Sequence, residues 1–246
     1  MKLKLLLSIM LLSFATTEKK HIKVYLIGDS TMSMKETKAY PETGWGMPFS
    51  ILFDSTVTVD NRAMNGRSTQ SFITENRWQP VVDNLKEGDY VFIQFGHNDE
   101  VPTKATYTTP ETFTANLIKY IRETKSKNAI PILITPVARR SFDSTGHIVG
   151  THNAYSELVR SVATVYKVPL IDLDKKSQQF LQQYGVEQSK LLFNWLDADE
   201  HPNYPKGSHD NTHFNELGAR KMAEIVLQSI RELHLELAER IVRPAI

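Results

Sequence analysis

Not one of the 246 residues is cysteine, which removes disulfides, thiolate-bound zinc, iron–sulfur clusters and a cysteine nucleophile together. A surplus of one charge sign is also missing. Lys and Arg number 29 against 28 Asp and Glu, and the formal net charge of +1 offers no bulk field to nucleic acid or an anionic membrane. Glycine and proline number 11 each, without repeat, low-complexity tract or linker, which excludes fibrous and disordered classes. No apolar run reaches the roughly 20 residues that a membrane-spanning helix needs. What is present is 41% hydrophobic and 23% charged, in a chain long enough to bury roughly 70–75% of its unfolded surface as one α/β domain.

The longest apolar run stands at the N-terminus. Met1 to Lys4 is basic, Leu5 to Phe14 is apolar and Ala15-Thr16-Thr17 is small, the three-part order of an export signal. The sequence therefore predicts a signal over 1–17, a domain over 18–246, and an exported protein, periplasmic or secreted. No Cys follows the run to carry a lipid, so no membrane anchor is expected. A buried N-terminal helix is the plainer alternative. Without residues 1–17 the balance becomes 27 basic against 28 acidic residues.

Beyond this segment, short β-rich runs alternate with amphipathic stretches. Ile22–Ile27, Val57–Asn61, Tyr90–Phe95, Ile130–Thr135 and Val168–Asp172 read as strands, several of them nearly continuous in apolar residues, as strands covered on both faces must be. Helical spacing runs from Pro110 to Lys125 behind Thr109 as a cap, from about His152 to Tyr166, and from Glu216 to near Glu239. Such alternation predicts a three-layer α/β/α domain with a five-stranded parallel sheet, flavodoxin-like in the order 2-1-3-4-5. Ligands in open sheets of this kind bind beyond the strand carboxyl ends. The irregular stretches 32–44, 97–109, 138–151 and 197–212 are placed accordingly.

Several short motifs fall there. Gly28-Asp29-Ser30-Thr31 follows the first strand, Asn65-Gly66-Arg67-Ser68 the second, and Gly96-His97-Asn98-Asp99 the third. Each has a plain reading: Asp29 and Ser30 as turn caps, Gly66 as a positive-φ residue, Asn98 as a turn former. Each also has a chemical one, since an exposed hydroxyl, an unobstructed backbone N–H and a side-chain amide are a nucleophile and two neutral donors for an oxyanion. Ser208-His-Asp-Asn-Thr-His213 lies in the stretch before the last helix, and its Asp210 and His213 can meet on one turn of chain. A hydroxyl nucleophile needs a base, and the base needs a partner that fixes its tautomer.

Gly28-Asp29-Ser30, Gly66, Gly96-His97-Asn98-Asp99 and Asp210-Asn-Thr-His213 resemble, in order, the four signature blocks of SGNH (GDSL-type) hydrolases, over residues 24 to about 235. The resemblance implies that Ser30 is the nucleophile, that His213 is the general base that later protonates the leaving group, and that Asp210 orients His213. It implies an oxyanion hole of the Ser30 and Gly66 backbone N–H groups and the Asn98 side chain. Within that family the sequence is most similar to rhamnogalacturonan acetylesterases, carbohydrate esterase family twelve. The residues carrying this are Val24 to Met32, Gly44-Trp45-Gly46, Asn65 to Ser68, Gly88 to Val91, Phe95 to Asp99 and Asp210 to His213. It departs from the fungal members in lacking Cys.

The resemblance implies a serine esterase that removes O-acetyl groups from an acetylated plant cell-wall polysaccharide, with rhamnogalacturonan as the expected substrate. No cofactor or metal is implied, no nucleic acid, and a monomer is expected. His201, His209, Asp210 and His213 suggest zinc by spacing, but a Pro-rich loop and the role of His213 weigh against it. Trp45, Arg67 and His97 are candidate substrate contacts, with a structural hydrogen bond that holds the loop as the stronger reading for His97. Trp195 is expected in the core. Arg139 and Arg140, like Arg67, either fork a galacturonate carboxylate or simply lie on a solvated surface. Competing functions are an esterase of the same fold acting on xylan, a lipid or a thioester, a silent carbohydrate-binding protein, and a nucleotide-binding flavodoxin-like protein. The polar loops at 35–44 and 97–109 argue against a long acyl channel.

Overall fold

The computed structural model describes residues 19–242, so the expected signal over 1–17 lies outside the described residues. Five strands pair in parallel: β1 (Ile22–Gly28), β2 (Val57–Asn61), β3 (Tyr90–Gln94), β4 (Ile130–Ile134) and β5 (Leu170–Ile171). Their order is β2-β1-β3-β4-β5, as the alternation of strand and helix predicts. In β1, Val24 and Leu26 enter one core while Tyr25 and Ile27 enter the other, because successive strand residues point to opposite faces. Tyr90 and Phe92 against Val91 and Ile93 repeat the division in β3.

Helices cover both faces. α1 (Gly46–Phe49), α6 (Leu173–Gln188) and α7 (Glu216–Glu232) pack on the side of Val24 and Phe92. α2 (Thr69–Thr74), α3 (Gln79–Asn84), α4 (Pro110–Ser126) and α5 (Asn153–Tyr166) pack on the side of Ile27 and Val91. In α4 the Thr109 side chain accepts from the Thr112 N–H, Pro110 opens the helix, and Phe113, Leu117, Tyr120 and Ile121 are buried along one stripe.

Three elements depart from the sequence reading. β5 is only two residues long, since Pro169 before it has no N–H to offer the ladder. The last helix ends at Glu232 rather than near Glu239 because His234 takes a left-handed φ of 51°; a 3-10 turn over Glu236–Arg240 follows. The segment before that helix is not irregular: β7 (Ser208–Phe214) pairs antiparallel with β6 (Phe193–Leu196) as a separate two-stranded ribbon. Also outside the sequence reading is α6, whose pattern is weak and whose course breaks at Gly185, with φ 69°.

Asn215 joins ribbon to helix. Its side-chain oxygen accepts from the Gly218 N–H at 3.1 Å as the cap of α7, and its amide donates to Leu191 O at 2.9 Å and Phe193 O at 3.0 Å. His213 lies two residues upstream, so this junction positions β7 against the main domain. Asn215→Ala loses the cap and two further hydrogen bonds, and we expect urea unfolding to register a loss of about 2 kcal/mol.

Candidate active site

β1 is flanked by β2 on one side and β3 on the other, so the residues just past these three strands emerge side by side. Ser30 stands in the middle. On one side the chain continues along β1 after β2 ends, with Arg62 N donating to Leu26 O at 2.8 Å and Met64 N to Gly28 O at 3.0 Å. Gly66 follows at φ 77°, with open space where a Cβ would stand, so its backbone conformation and not crowding calls for glycine. Gly28 is different: a Cβ there would lie 2.5 Å from the carbonyl oxygen of Gln94 on β3.

The turn bearing Ser30 is built from a buried chain of side chains. Asp29 Oδ1 accepts from the Thr31 N–H at 3.0 Å and the Thr31 hydroxyl at 2.8 Å. Thr31 Oγ1 accepts from Gln94 Nε2 at 2.6 Å, and Gln94 Oε1 accepts from Trp45 Nε1 at 2.7 Å. Burial raises the Asp29 carboxyl above its ordinary range, against the lowering by Thr31. Trp45 is therefore not a sugar-stacking platform, as its place between two glycines suggested. It is fully buried against Phe49, because its indole N–H has a partner only inside the domain.

His213 reaches Ser30 from the ribbon. His213 Nε2 is 2.8 Å from Ser30 Oγ, and His213 Nδ1 is 2.8 Å from Asp210 Oδ2. A carboxylate only accepts, so Nδ1 carries the proton and Nε2 is left to accept from the serine hydroxyl. Burial pushes the Asp210 carboxyl up, but the His213 side chain and the His213 and Thr212 N–H groups outweigh it and hold it below its ordinary value. The remaining oxygen, Oδ1, takes those two backbone donors at 3.0 and 2.6 Å.

Asn98 is buried beside this group, on the loop after β3. Its Nδ2 donates to the carbonyl of Arg67 at 3.1 Å, which ties it to the loop carrying Gly66. Asp99 locks the same two loops: its Oδ1 accepts from the Thr69 N–H at 2.9 Å and the Thr69 hydroxyl at 2.6 Å. Burial pushes the Asp99 carboxyl up to about 7. Lys35 secures the other side, with its ammonium 2.7 Å from Glu42 and 2.8 Å from Asn65 Oδ1.

His97 is buried, 3% exposed beside Asn98 at 4%, and a hydrogen bond to its backbone holds the loop, its carbonyl accepting from Arg139 Nη2 at 3.4 Å. Its ring packs on that of His152 at 4.2 Å, and burial holds its pKa well below the ordinary histidine value. Arg139 and His152 share Glu100, at 3.2 and 2.9 Å.

Arg67 is half-buried and bound to Glu75 at 2.9 Å and to Asn65 O at 2.9 Å, so its guanidinium is already engaged. Arg140 is no carboxylate fork. It is buried, donates to Ser189 Oγ at 2.9 Å, Asn211 Oδ1 at 2.8 Å and Val186 O, and so clamps the ribbon beside Asp210. Trp195 is not core: half-buried, it stacks on exposed His209 at 4.6 Å with Arg140 at 4.9 Å and Lys190 at 5.0 Å from its ring. His201 packs on Tyr40, and among the described residues no three His, Asp or Glu side chains form a metal-holding group. Gln94, Thr31 and Lys35 escaped the sequence reading. Only Gln94 left a signal, as a polar residue inside the buried run Tyr90–Phe95.

Comparison with known proteins gives a consistent picture. Residues 26–221 match the model of the GDSL-like lipase/acylhydrolase family. The chain is 43% identical to rhamnogalacturonan acetylesterase RhgT of Bacillus subtilis over 91% of this chain and 96% of that protein. It is 35% identical to the probable rhamnogalacturonan acetylesterase YesY of the same organism, over 89% and 97% of the two chains. Among solved structures, YxiM of Bacillus subtilis superposes with a TM-score of 0.76 at 26% identity, covering 88% of this chain and 58% of that one. The acetylxylan esterase Axe2 of Geobacillus stearothermophilus superposes with a TM-score of 0.60 at 18% identity, over 92% and 98%, a likeness of fold.

The Asp99 lock makes stability pH-dependent. Its folded pKa is raised above that of an unfolded aspartate, so its contribution is present at low pH and is lost as pH rises through about 7. Asp99→Asn keeps the acceptor for Thr69 and removes the titration. Between about pH 5 and about pH 8 the native protein is expected to lose roughly 2–3 kcal/mol more than the variant in denaturant unfolding; parallel pH curves would refute this.

Proposed function

The chain belongs to the GDSL-like lipase/acylhydrolase family, and from that premise we propose that it is a serine esterase that removes O-acetyl groups from pectic polysaccharide, rhamnogalacturonan in particular. The substrate rests on 43% identity to a rhamnogalacturonan acetylesterase across nearly the whole of both chains. The mechanism rests on one observation, the continuous hydrogen-bonded chain from Ser30 through His213 to Asp210.

In this reading Ser30 Oγ attacks the acetyl carbonyl carbon while His213 Nε2 takes the hydroxyl proton, and Asp210 stabilises the imidazolium that forms. The developing oxyanion is received by the backbone N–H groups of Ser30 and Gly66 and by the Asn98 amide. Such preorganised neutral donors are worth about 10²–10³ in rate each. The tetrahedral intermediate collapses with cleavage of the bond to the sugar oxygen, which leaves with the proton from His213. Water then attacks the acetyl-Ser30 ester, gives its proton to His213, and acetate departs as Ser30 recovers its own.

Every group in this sequence comes from one chain, so a monomer suffices. The basic, apolar and small order of residues 1–17 supports export to where plant polysaccharide is met.

Acetate release from acetylated rhamnogalacturonan is the test, with acetylated xylan and a long-chain acyl ester alongside. We expect release from the pectic substrate, reduced at least about 10⁴-fold in Ser30→Ala and similarly in Asp210→Asn. Ser30-dependent hydrolysis confined to xylan or to the long-chain ester would keep the mechanism and discard the substrate. Hydrolysis unaffected by Ser30→Ala would discard the mechanism.

A further inference from the structure

Four cationic side chains stand around the loops that carry Asn65, Gly66 and Asn98. Three are matched by carboxylates: Lys35 by Glu42, Arg67 by Glu75 and Arg139 by Glu100. Lys104 has no carboxylate within ion-pair distance among the described residues. Its ammonium donates instead to Oδ1 of Asn98, at 2.8 Å.

That contact bears on the chemistry of the amide. An ammonium can only donate and a backbone carbonyl can only accept, so Lys104 at one end of the Asn98 side chain and Arg67 O at the other impose the same orientation. One N–H is spent on Arg67 O, and the second has no partner among the described residues. A positive charge on the amide oxygen draws electron density from the nitrogen and makes the remaining N–H a stronger donor.

Lys104 is also held in register with Asn98. Its N–H donates to Val101 O at 3.0 Å, its carbonyl accepts from Tyr107 N at 3.0 Å, and Thr108 N closes the loop on Asp99 O at 3.0 Å. Lys104 is itself exposed, and these bonds fix its backbone, so less entropy is lost in holding the contact than on a loose segment.

We propose that Lys104 is a positioning residue that orients and polarises the Asn98 amide, raising its strength as a donor to the oxyanion. The proposal rests on the reading of Asn98 as an oxyanion donor. Its effect belongs to the transition state, since the ground-state carbonyl carries little charge for the strengthened N–H to meet.

The test uses a small neutral aryl acetate, on which a lysine has no substrate charge to bind, and compares Lys104→Met, Lys104→Arg, Asn98→Ala and the double variant Asn98→Ala/Lys104→Met. Lys104→Met should lower kcat about 3- to 10-fold, a fraction of the loss from deleting a whole donor, with KM unchanged. Lys104→Arg should restore most of it. In the Asn98→Ala background the lysine substitution should cost nothing further, because the group it acts through is gone. Unchanged kcat in Lys104→Met would overturn the proposal, including where KM for the acidic polymer alone rises, which would make Lys104 a polymer contact. So would an additive double variant. Full activity in Asn98→Ala would remove the oxyanion reading and the proposal with it, and is distinguishable because that variant alone reports it. Thermal melts of the variants identify any that lose their fold.

Discussion

A single line of hydrogen bonds, from the Trp45 indole through the Gln94 amide and the Thr31 hydroxyl to the Asp29 carboxylate, holds the Ser30 turn at the end of β1. All four side chains are fully buried or nearly so. Polar groups placed between two apolar layers must satisfy one another, since each unpaired member costs about 1–3 kcal/mol. Gln94 is central because its amide both donates and accepts, linking a donor-only indole to a hydroxyl. The turn is thereby fixed by the sheet itself, through a residue of the neighbouring strand, and not by the loop's own preferences.

The same logic extends outward. Asn98 and Asp99 are tied to Arg67 and Thr69 across the loops after β3 and β2. Lys35 and Ser33 converge on Asn65 Oδ1 from the loop after β1. Arg140 and Asn215 brace the ribbon that brings His213 in from the far end of the chain. Donors for an oxyanion must stand in place before charge develops, and these cross-loop bonds hold them without reorganisation at the moment of reaction. Burial raises the Asp29 and Asp99 carboxyls, against the lowering by the hydroxyl and N–H groups that donate to them.

Much of the site was legible as short motifs. Ser30, Gly66 and Asn98 each follow a strand whose apolar run marks its end, and a parallel sheet places such ends on one side. Asp210 and His213 are three residues apart, so their pairing is a local matter. Trp45, Trp195 and Arg140 were misplaced, and the partners of His97 went unread, because their surroundings come from distant segments. Trp45 is decided by Gln94, His97 by His152 and Arg139, and Trp195 by a ribbon whose second strand contains the polar run Ser208–His213. That run has no apolar alternation by which to recognise a strand.

By itself the sequence determined where the strands lie, the two-sided core and the identity of the groups at the strand ends, because periodicity and turn chemistry act over a few residues. The tertiary structure alone decided that Ser30 and His213, separated by 183 positions, stand 2.8 Å apart. It alone decided which of the arginines and aromatics face solvent and which are committed inside. Burial and hydrogen-bond partnership are properties of what packs around a side chain, and for these residues the packing partners lie far away along the chain.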